Sequence, residues 1–86
     1  METAREEATI DLLGVLAYGE LQAFERLSMD AVLSPDLAGR EAVTEMAIGE
    51  YGHYKILVEG LRARGADPMS AMRPFVAPIE NFHKST

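Results

Sequence analysis

Apolar residues recur at helical spacing along most of the chain and divide it into three segments. The first segment runs from about Thr3 to about Val32, and its apolar stripe consists of Leu13, Leu16, Ala17, Ala23, Phe24, Leu27 and Ala31. Many of them lie three or four residues apart and so share one side of the helical wheel, while polar residues occupy the other side. This pattern predicts one long amphipathic helix.

A short link separates the first helix from the second. Ser34-Pro35-Asp36 interrupts the apolar pattern, because proline disfavours helix in the preceding residue and suits the first turn of a new helix. Ser34 is the expected N-cap. The second helix is predicted from about Pro35 to about Arg64, with Gly65 as its stop signal. Its apolar stripe consists of Val43, Met46, Ala47, Tyr54, Leu57 and Leu61.

The third segment opens with Asp67-Pro68, a typical N-cap and first-turn pair. Pro74 and Pro78 are expected to interrupt it, which leaves one or two short helical pieces up to about Phe82. The chain has no convincing strand pattern. The predicted fold is therefore all-α: an antiparallel helical hairpin followed by a short C-terminal helical segment, as one domain over residues 1–86.

The small size of the chain limits the core that it can bury. With 86 residues and a hydrophobic share of 48%, it carries more apolar surface than a small domain easily hides. We therefore expect that the chain is not a stable monomer. Its net charge is −6, and no Lys/Arg cluster is present, which argues against tight binding to nucleic acid.

The absence of cysteine excludes disulfides, thiolate metal ligands and cysteine nucleophiles. The acidic start of the chain does not resemble a signal peptide, and no apolar run reaches membrane-spanning length. A cytoplasmic protein is expected on these grounds.

Three residues with metal-binding side chains fall on the apolar stripes. At about 100° per residue, Glu20 lies in the middle of the first stripe and Glu50 in the middle of the second. His53 lies about 60° to one side of Glu50, so both can point toward the same place. Unpaired charges on a core face are costly, and these residues therefore need partners.

The heights of these residues along the hairpin agree with one another. Glu20 and Glu50 each lie about 15 residues from Pro35, which corresponds to roughly 22 Å of helix. A short link makes the two helices antiparallel neighbours, so Glu20, Glu50 and His53 are predicted to converge if both helices are unbroken.

Such oxygen and nitrogen ligands suit iron, manganese or zinc without distinguishing between them. A carboxylate-bridged dinuclear site uses four Glu and two His. Half of that set is present here. A second copy of the chain, related by a two-fold axis, would complete it, as would a missing C-terminal half.

Three stretches carry a resemblance to a known family. They are Gly-Glu-Leu-Gln-Ala-Phe-Glu-Arg-Leu around Glu20, Met-Ala-Ile-Gly-Glu-Tyr-Gly-His ending at His53, and Asp67-Pro68 followed by Met-Arg-Pro-Phe. Over nearly its whole length the chain resembles the N-terminal half of a ferritin-like di-iron carboxylate protein. It resembles in particular the actinobacterial ferritin-like proteins related to the tRNA-modifying hydroxylases.

The resemblance implies half of a ferritin-like four-helix bundle and a site for two iron ions. It implies that Glu20 and His53 are terminal ligands and that Glu50 bridges the ions. The implied activity is O₂ activation for oxidation or hydroxylation, with a homodimer as one way to complete the site. Iron oxidation and storage, simple metal binding, and a non-catalytic helical assembly module remain as alternatives.

Glycines and tyrosines near these residues allow more than one interpretation. Gly19, Gly49 and Gly52 indicate either close helix approach or flexibility at the site, or a tolerated weakness of the helices. Tyr54 could line a metal pocket or accept a radical, but a core or interface role is the simpler interpretation. Tyr18 and Tyr51 point away from the stripes and are expected on the surface or in a second interface.

Overall fold

The fold consists of three α-helices joined by two tight links. The computed structural model describes the backbone of residues 2–85 and the side chains of residues 3–81. Helix α1 spans Glu2–Leu33, α2 spans Leu37–Ala63 and α3 spans Pro68–Ser85. The all-α hairpin with a C-terminal helical segment is confirmed. None of the three helices, within residues 2–85, is long and apolar enough to cross a membrane.

The first link places the N-cap of α2 at Asp36 rather than at Ser34. Asp36 has an extended backbone, and its Oδ1 atom accepts a hydrogen bond from the Gly39 amide at 2.6 Å. Ser34 instead donates from Oγ to the Asp30 carbonyl oxygen at 3.3 Å and so belongs to the end of α1. The Ser34 prediction was wrong because the Asp36 carboxylate, two residues later, satisfies the free amide of the first turn.

The second link closes α2 and opens α3. Gly65 has φ +73°, and its amide donates to the Arg62 carbonyl, while the Ala66 amide donates to the Leu61 carbonyl at 3.0 Å. This is the Schellman arrangement that a glycine permits, as predicted. Asp67 then caps α3, since its Oδ2 atom accepts hydrogen bonds from both the amide and the hydroxyl of Ser70. These hydrogen bonds lower the pKa of Asp67.

Helix α3 continues through Pro74 and Pro78, contrary to the expected interruption. Each proline removes one intrahelical hydrogen bond, from the carbonyl groups of Ser70 and Pro74. Ser70, Pro74 and Pro78 are all exposed, so water can solvate the carbonyl groups that lose their partners. The helix extends to Ser85, beyond the Phe82 end that the sequence predicted.

Helix α3 packs mainly on α1, and Gly14 makes that approach possible. A Cβ atom at Gly14 would lie within 2.3 Å of the Ala71 carbonyl oxygen, which leaves room for glycine alone. Beside this crossing is a core cluster formed by Ala17, Tyr18, Val58 and Met72.

Tyr18 is part of this core and packs toward α3, so the second-interface alternative is confirmed for this residue and the surface alternative was wrong. Its hydroxyl donates to Glu80 Oε1 at 2.9 Å and accepts from Gln22 Nε2 at 2.8 Å. The side chain lies off the apolar stripe of α1 because that stripe faces α2, whereas Tyr18 faces α3. The sequence pattern of α1 alone does not show where a third helix will pack.

The side of the hairpin away from α3 is open. Large apolar side chains remain exposed there, and others remain exposed at the link end of the hairpin. The exposed large apolar residues of the described chain include Leu12, Leu16, Met29, Val32, Leu33, Leu37, Met46, Ile48, Ile56 and Met69. Helix α3 thus covers one side of the hairpin and leaves the other without a packing layer.

Candidate metal centre

Glu20 of α1 and Glu50 and His53 of α2 meet at the middle of the hairpin. Each offers one ligand atom, and these atoms all lie within 4.8 Å of one another. His53 Nδ1 is 3.6 Å from Glu20 Oε2, which is within ion-pair distance but too long for a hydrogen bond. The structure therefore brings together all three residues that the sequence singled out. Their role as metal ligands stays a prediction.

Regular helix geometry on both sides of the first link produces this meeting. Helix α1 continues to Leu33 and α2 begins at Leu37, so both run unbroken from the link to the site. The Asp36 cap fixes where α2 begins, and equal rise along two antiparallel helices then brings Glu20 and Glu50 to the same level.

Glu20 occupies an electrostatically unfavourable position. Its side chain is 28% exposed, but its Oε2 atom is buried. This atom has no hydrogen-bond partner in the part of the chain that the structure describes. The adjacent Glu50 carboxyl, with which Glu20 can share a proton, raises the pKa of Glu20. Burial and the negative charge of Glu50 raise it further, while nearby His53 opposes the shift. The pair therefore favours binding a proton or another cation.

His53 and Glu50 make the site accessible from the open side of the hairpin. The His53 side chain is 63% exposed. A groove of about 410 Å³ borders Glu50 and is lined by Gly19, Ala23, Arg26, Leu27, Asp30 and Glu50. The hairpin thus encloses the three ligand atoms on one side and leaves them accessible from the open side.

The donor set fits a transition-metal ion. Metal–oxygen and metal–nitrogen bonds of about 2.0–2.2 Å place two ligands of one ion at most ~4.4 Å apart. Ligand atoms within 4.8 Å of one another need only small side-chain rotations to reach such distances. A cation would also give the unpaired Glu20 Oε2 atom a partner, and one exposed imidazole with two carboxylates suits iron, manganese or zinc.

The glycines near the site do not mediate helix contact within the chain. A Cβ atom built at Gly19, Gly49 or Gly52 has no neighbouring atom within 4 Å. Close approach occurs instead at Gly14, which the sequence pattern does not distinguish from the other helical glycines. The sequence shows only that Gly14 is a glycine inside a long predicted helix. Gly19 shares that property, so the sequence does not indicate which glycine contacts another helix.

The three tyrosines form no part of the ligand cluster. Tyr54 packs against the core cluster, and its ring stacks on that of Tyr51 with centroids 5.6 Å apart. Tyr51 also contacts the Phe24 ring at 5.3 Å and remains partly exposed. These contacts support the packing interpretation of Tyr54.

Comparison with known proteins agrees with the helical architecture. No curated protein matches the chain at a significant level. The family model described as "Ferritin-like domain, actinomycetes" matches residues 3–86, which is nearly the whole chain. By this match and by its three-helix fold, the chain belongs to the ferritin-like domain family of actinomycetes.

Proposed function

We propose that Glu20, Glu50 and His53 are ligands of a dinuclear metal site that activates O₂ for oxidation or hydroxylation of an organic substrate. The observation that carries the proposal is the convergence of two carboxylates and an imidazole, from two helices, around a buried carboxylate oxygen without a partner. A ferritin-like fold is a known setting for carboxylate-bridged metal pairs.

The residues of the chain have separate tasks in this proposal. Glu20, Glu50 and His53 would hold the metal, since their ligand atoms lie close together. By the resemblance to di-iron carboxylate proteins, Glu50 would bridge the two ions, and Glu20 and His53 would each bind one. Bound iron would supply the electrons and open coordination positions for O₂ activation. The exposed His53 edge and the groove beside Glu50 leave space next to these three residues for the remaining ligands of the pair.

Support for iron and for hydroxylation comes from the resemblance to tRNA-modifying hydroxylases, since the ligands also suit manganese and zinc. The present ligands are half of a set of four Glu and two His. The remaining half has to come from outside the three helices, through a second copy or a further segment of a longer chain.

Metal analysis of the purified chain tests the proposal. After incubation with Fe²⁺, Mn²⁺ or Zn²⁺ and desalting, we expect about one ion per chain, as half of a shared pair. Glu50→Ala should abolish retention. Glu45→Ala is the matched control, since Glu45 is an exposed carboxylate on the same helix. Equal metal content in the two variants would exclude Glu50 as a ligand.

Metal handling is the second candidate, because the same ligands would serve iron oxidation and storage. O₂ consumption with formation of an organic product supports the oxidase or hydroxylase, whereas growth of a ferric mineral supports storage. A chain that retains no metal, and whose stability is unchanged by Glu50→Ala, would instead be a helical assembly module.

A further inference from the structure

We infer that the open side of the hairpin binds a second copy of this chain, related by a two-fold axis, so that six ligands enclose one metal pair. This inference rests on the proposed function and names its partner. The surface concerned, called the open face below, contains Leu12, Leu16, Met46 and Ile56 around the site of Glu20, Glu50 and His53.

The open face lies opposite α3. At about 100° per residue, Leu12 and Leu16 lie about 80° and 40° from Glu20, on the side away from Gly14. Gly14 marks the side that α3 covers, since it contacts Ala71. A second layer can therefore approach the open face without displacing α3.

Ligands and apolar side chains share the open face. On α2, Met46 and Ile56 flank His53 along the helix and lie on the same side of Glu50 as His53 does. All four apolar side chains of the face are exposed, and so is His53. The metal ligands thus lie within an apolar surface that the three helices do not cover, which is the expected composition of an obligate interface.

Helix surfaces at the centre of the face are unobstructed. Gly19 and Gly49 lie on this side of α1 and α2, and a Cβ atom at either position would meet no atom of the chain within 4 Å. A partner helix can therefore approach the backbone closely beside Glu20 and Glu50. This close approach is what a shared ligand set requires.

The size of the face suits a dimer. Helix α2, with its 27 residues, is about 40 Å long. Two helices side by side are roughly 20 Å wide, which gives a face of roughly 800 Å². Stable protein interfaces bury about 800 Å² per partner. The open face alone is therefore large enough.

Charge balance indicates that metal and dimer form together. Two copies bring four carboxylates and two imidazoles to the axis, and like charges in a buried cluster repel one another. Two divalent cations carry the four positive charges that balance these carboxylates. We therefore expect the metal-free chain to dimerise less tightly than the metal-bound chain.

Analytical ultracentrifugation tests the inference by measuring dimerisation of the full chain in EDTA and in Mn²⁺. The same measurement is made on the variants Ile56→Glu and Ile48→Glu. The two isoleucines are 70% and 64% exposed and belong to the same helix, but Ile48 lies about 160° from Glu50 and outside the open face. We expect Mn²⁺ to give dimers holding two ions each. Ile56→Glu should weaken dimerisation more than about tenfold, and Ile48→Glu should leave it unchanged.

Circular dichroism verifies that both variants keep their helices, and Leu16→Glu repeats the test from α1. If Ile56→Glu is a monomer that still binds Mn²⁺ as tightly as the unmodified chain does, the second-copy inference is overturned and the metal proposal stands. A dimer that Ile56→Glu weakens but that retains no Mn²⁺ would support the shared face and refute the metal proposal. Equal dimerisation of the two isoleucine variants would overturn the inference.

Discussion

Glu20 Oε2 lies 3.6 Å from His53 Nδ1 across the interface between α1 and α2, and this buried oxygen has no hydrogen-bond partner among the described side chains. The contact joins residues that are far apart in the sequence and belong to two different helices. It is close enough for electrostatic attraction and too long to satisfy the oxygen. A site arranged in this way loses stability in the absence of a cation and gains from binding one.

The first prediction concerns that loss of stability. The pKa of Glu20 is raised above its usual value of 4.5, chiefly by the neighbouring Glu50 carboxyl. The folded chain therefore prefers protonated Glu20, and the contribution of this preference is present below about pH 4.5 and lost as the pH rises through the folded pKa. In the metal-free chain at pH 7, Glu20→Gln should raise the urea midpoint.

This gain should disappear below about pH 4.5, where Glu20 of the unmodified chain is itself protonated. Glu45→Gln, at an exposed position on α2, is the control and should leave the midpoint unchanged. A Glu20→Gln variant that is no more stable than the unmodified metal-free chain at pH 7 would show that the carboxylate is not strained.

The second prediction concerns the crossing of α1 and α3. Gly14→Ala would place a methyl group against the Ala71 carbonyl oxygen and force α3 away, at a cost of roughly 1–3 kcal/mol in unfolding free energy. Gly52→Ala should instead stabilise the chain by about 0.5–1 kcal/mol. The added methyl group would meet no atom within 4 Å, and the substitution removes a glycine from a helix interior. Urea denaturation measures both. Equal effects of the two substitutions would contradict the close approach.

The third prediction concerns the hydrogen bonds that attach α3 through Tyr18. Tyr18→Phe removes the hydroxyl that donates to Glu80 and accepts from Gln22, and should cost about 1 kcal/mol. Burial, followed by Glu80, raises the pKa of Tyr18 above its usual 10.0. The contribution is therefore present below about pH 10 and lost as the pH rises through the folded pKa.

Amide hydrogen exchange of α3 provides the measurement for Tyr18→Phe, with faster exchange expected around Glu80. Tyr51→Phe is the control, since the Tyr51 contacts with Phe24 and Tyr54 involve its ring. If exchange in α3 is the same in both variants, the Tyr18 hydroxyl does not hold this helix.

The fourth prediction distinguishes the two candidate caps of α2. Asp36→Ala should lower the unfolding free energy by about 1 kcal/mol, because Asp36 Oδ1 satisfies the Gly39 amide. Ser34→Ala should change it by less than about 0.5 kcal/mol, since its hydroxyl bonds only to an exposed carbonyl group. Thermal unfolding of both variants compares them, and a larger loss for Ser34→Ala would reverse the assignment.

The hairpin and the meeting of Glu20, Glu50 and His53 were predictable because they depend on local rules. Helical spacing, the proline of the first link and equal rise along antiparallel helices are all readable from the sequence. The Gly65 stop and the Asp67 cap were predictable for the same reason, since each depends on one residue and its nearest neighbours.

The placement of α3 was not predictable, because it depends on contacts between distant residues. Tyr18 and Gly14 lie off the α1 stripe, and only the docking of Ala71 and Glu80 explains their burial. Pro74 and Pro78 are tolerated because α3 turns them to solvent, and propensity alone does not reveal that orientation. The cytoplasmic location and the identity of the metal stay predictions.

Anomalous scattering from a crystal of the Mn²⁺-loaded chain tests the central claim most directly, because it locates each bound ion. We predict two peaks between paired hairpins, with Glu20, Glu50 and His53 within about 2.0–2.3 Å of Mn²⁺ and Glu50 touching both ions. Crystals of the loaded chain without anomalous density between these three side chains would contradict the account.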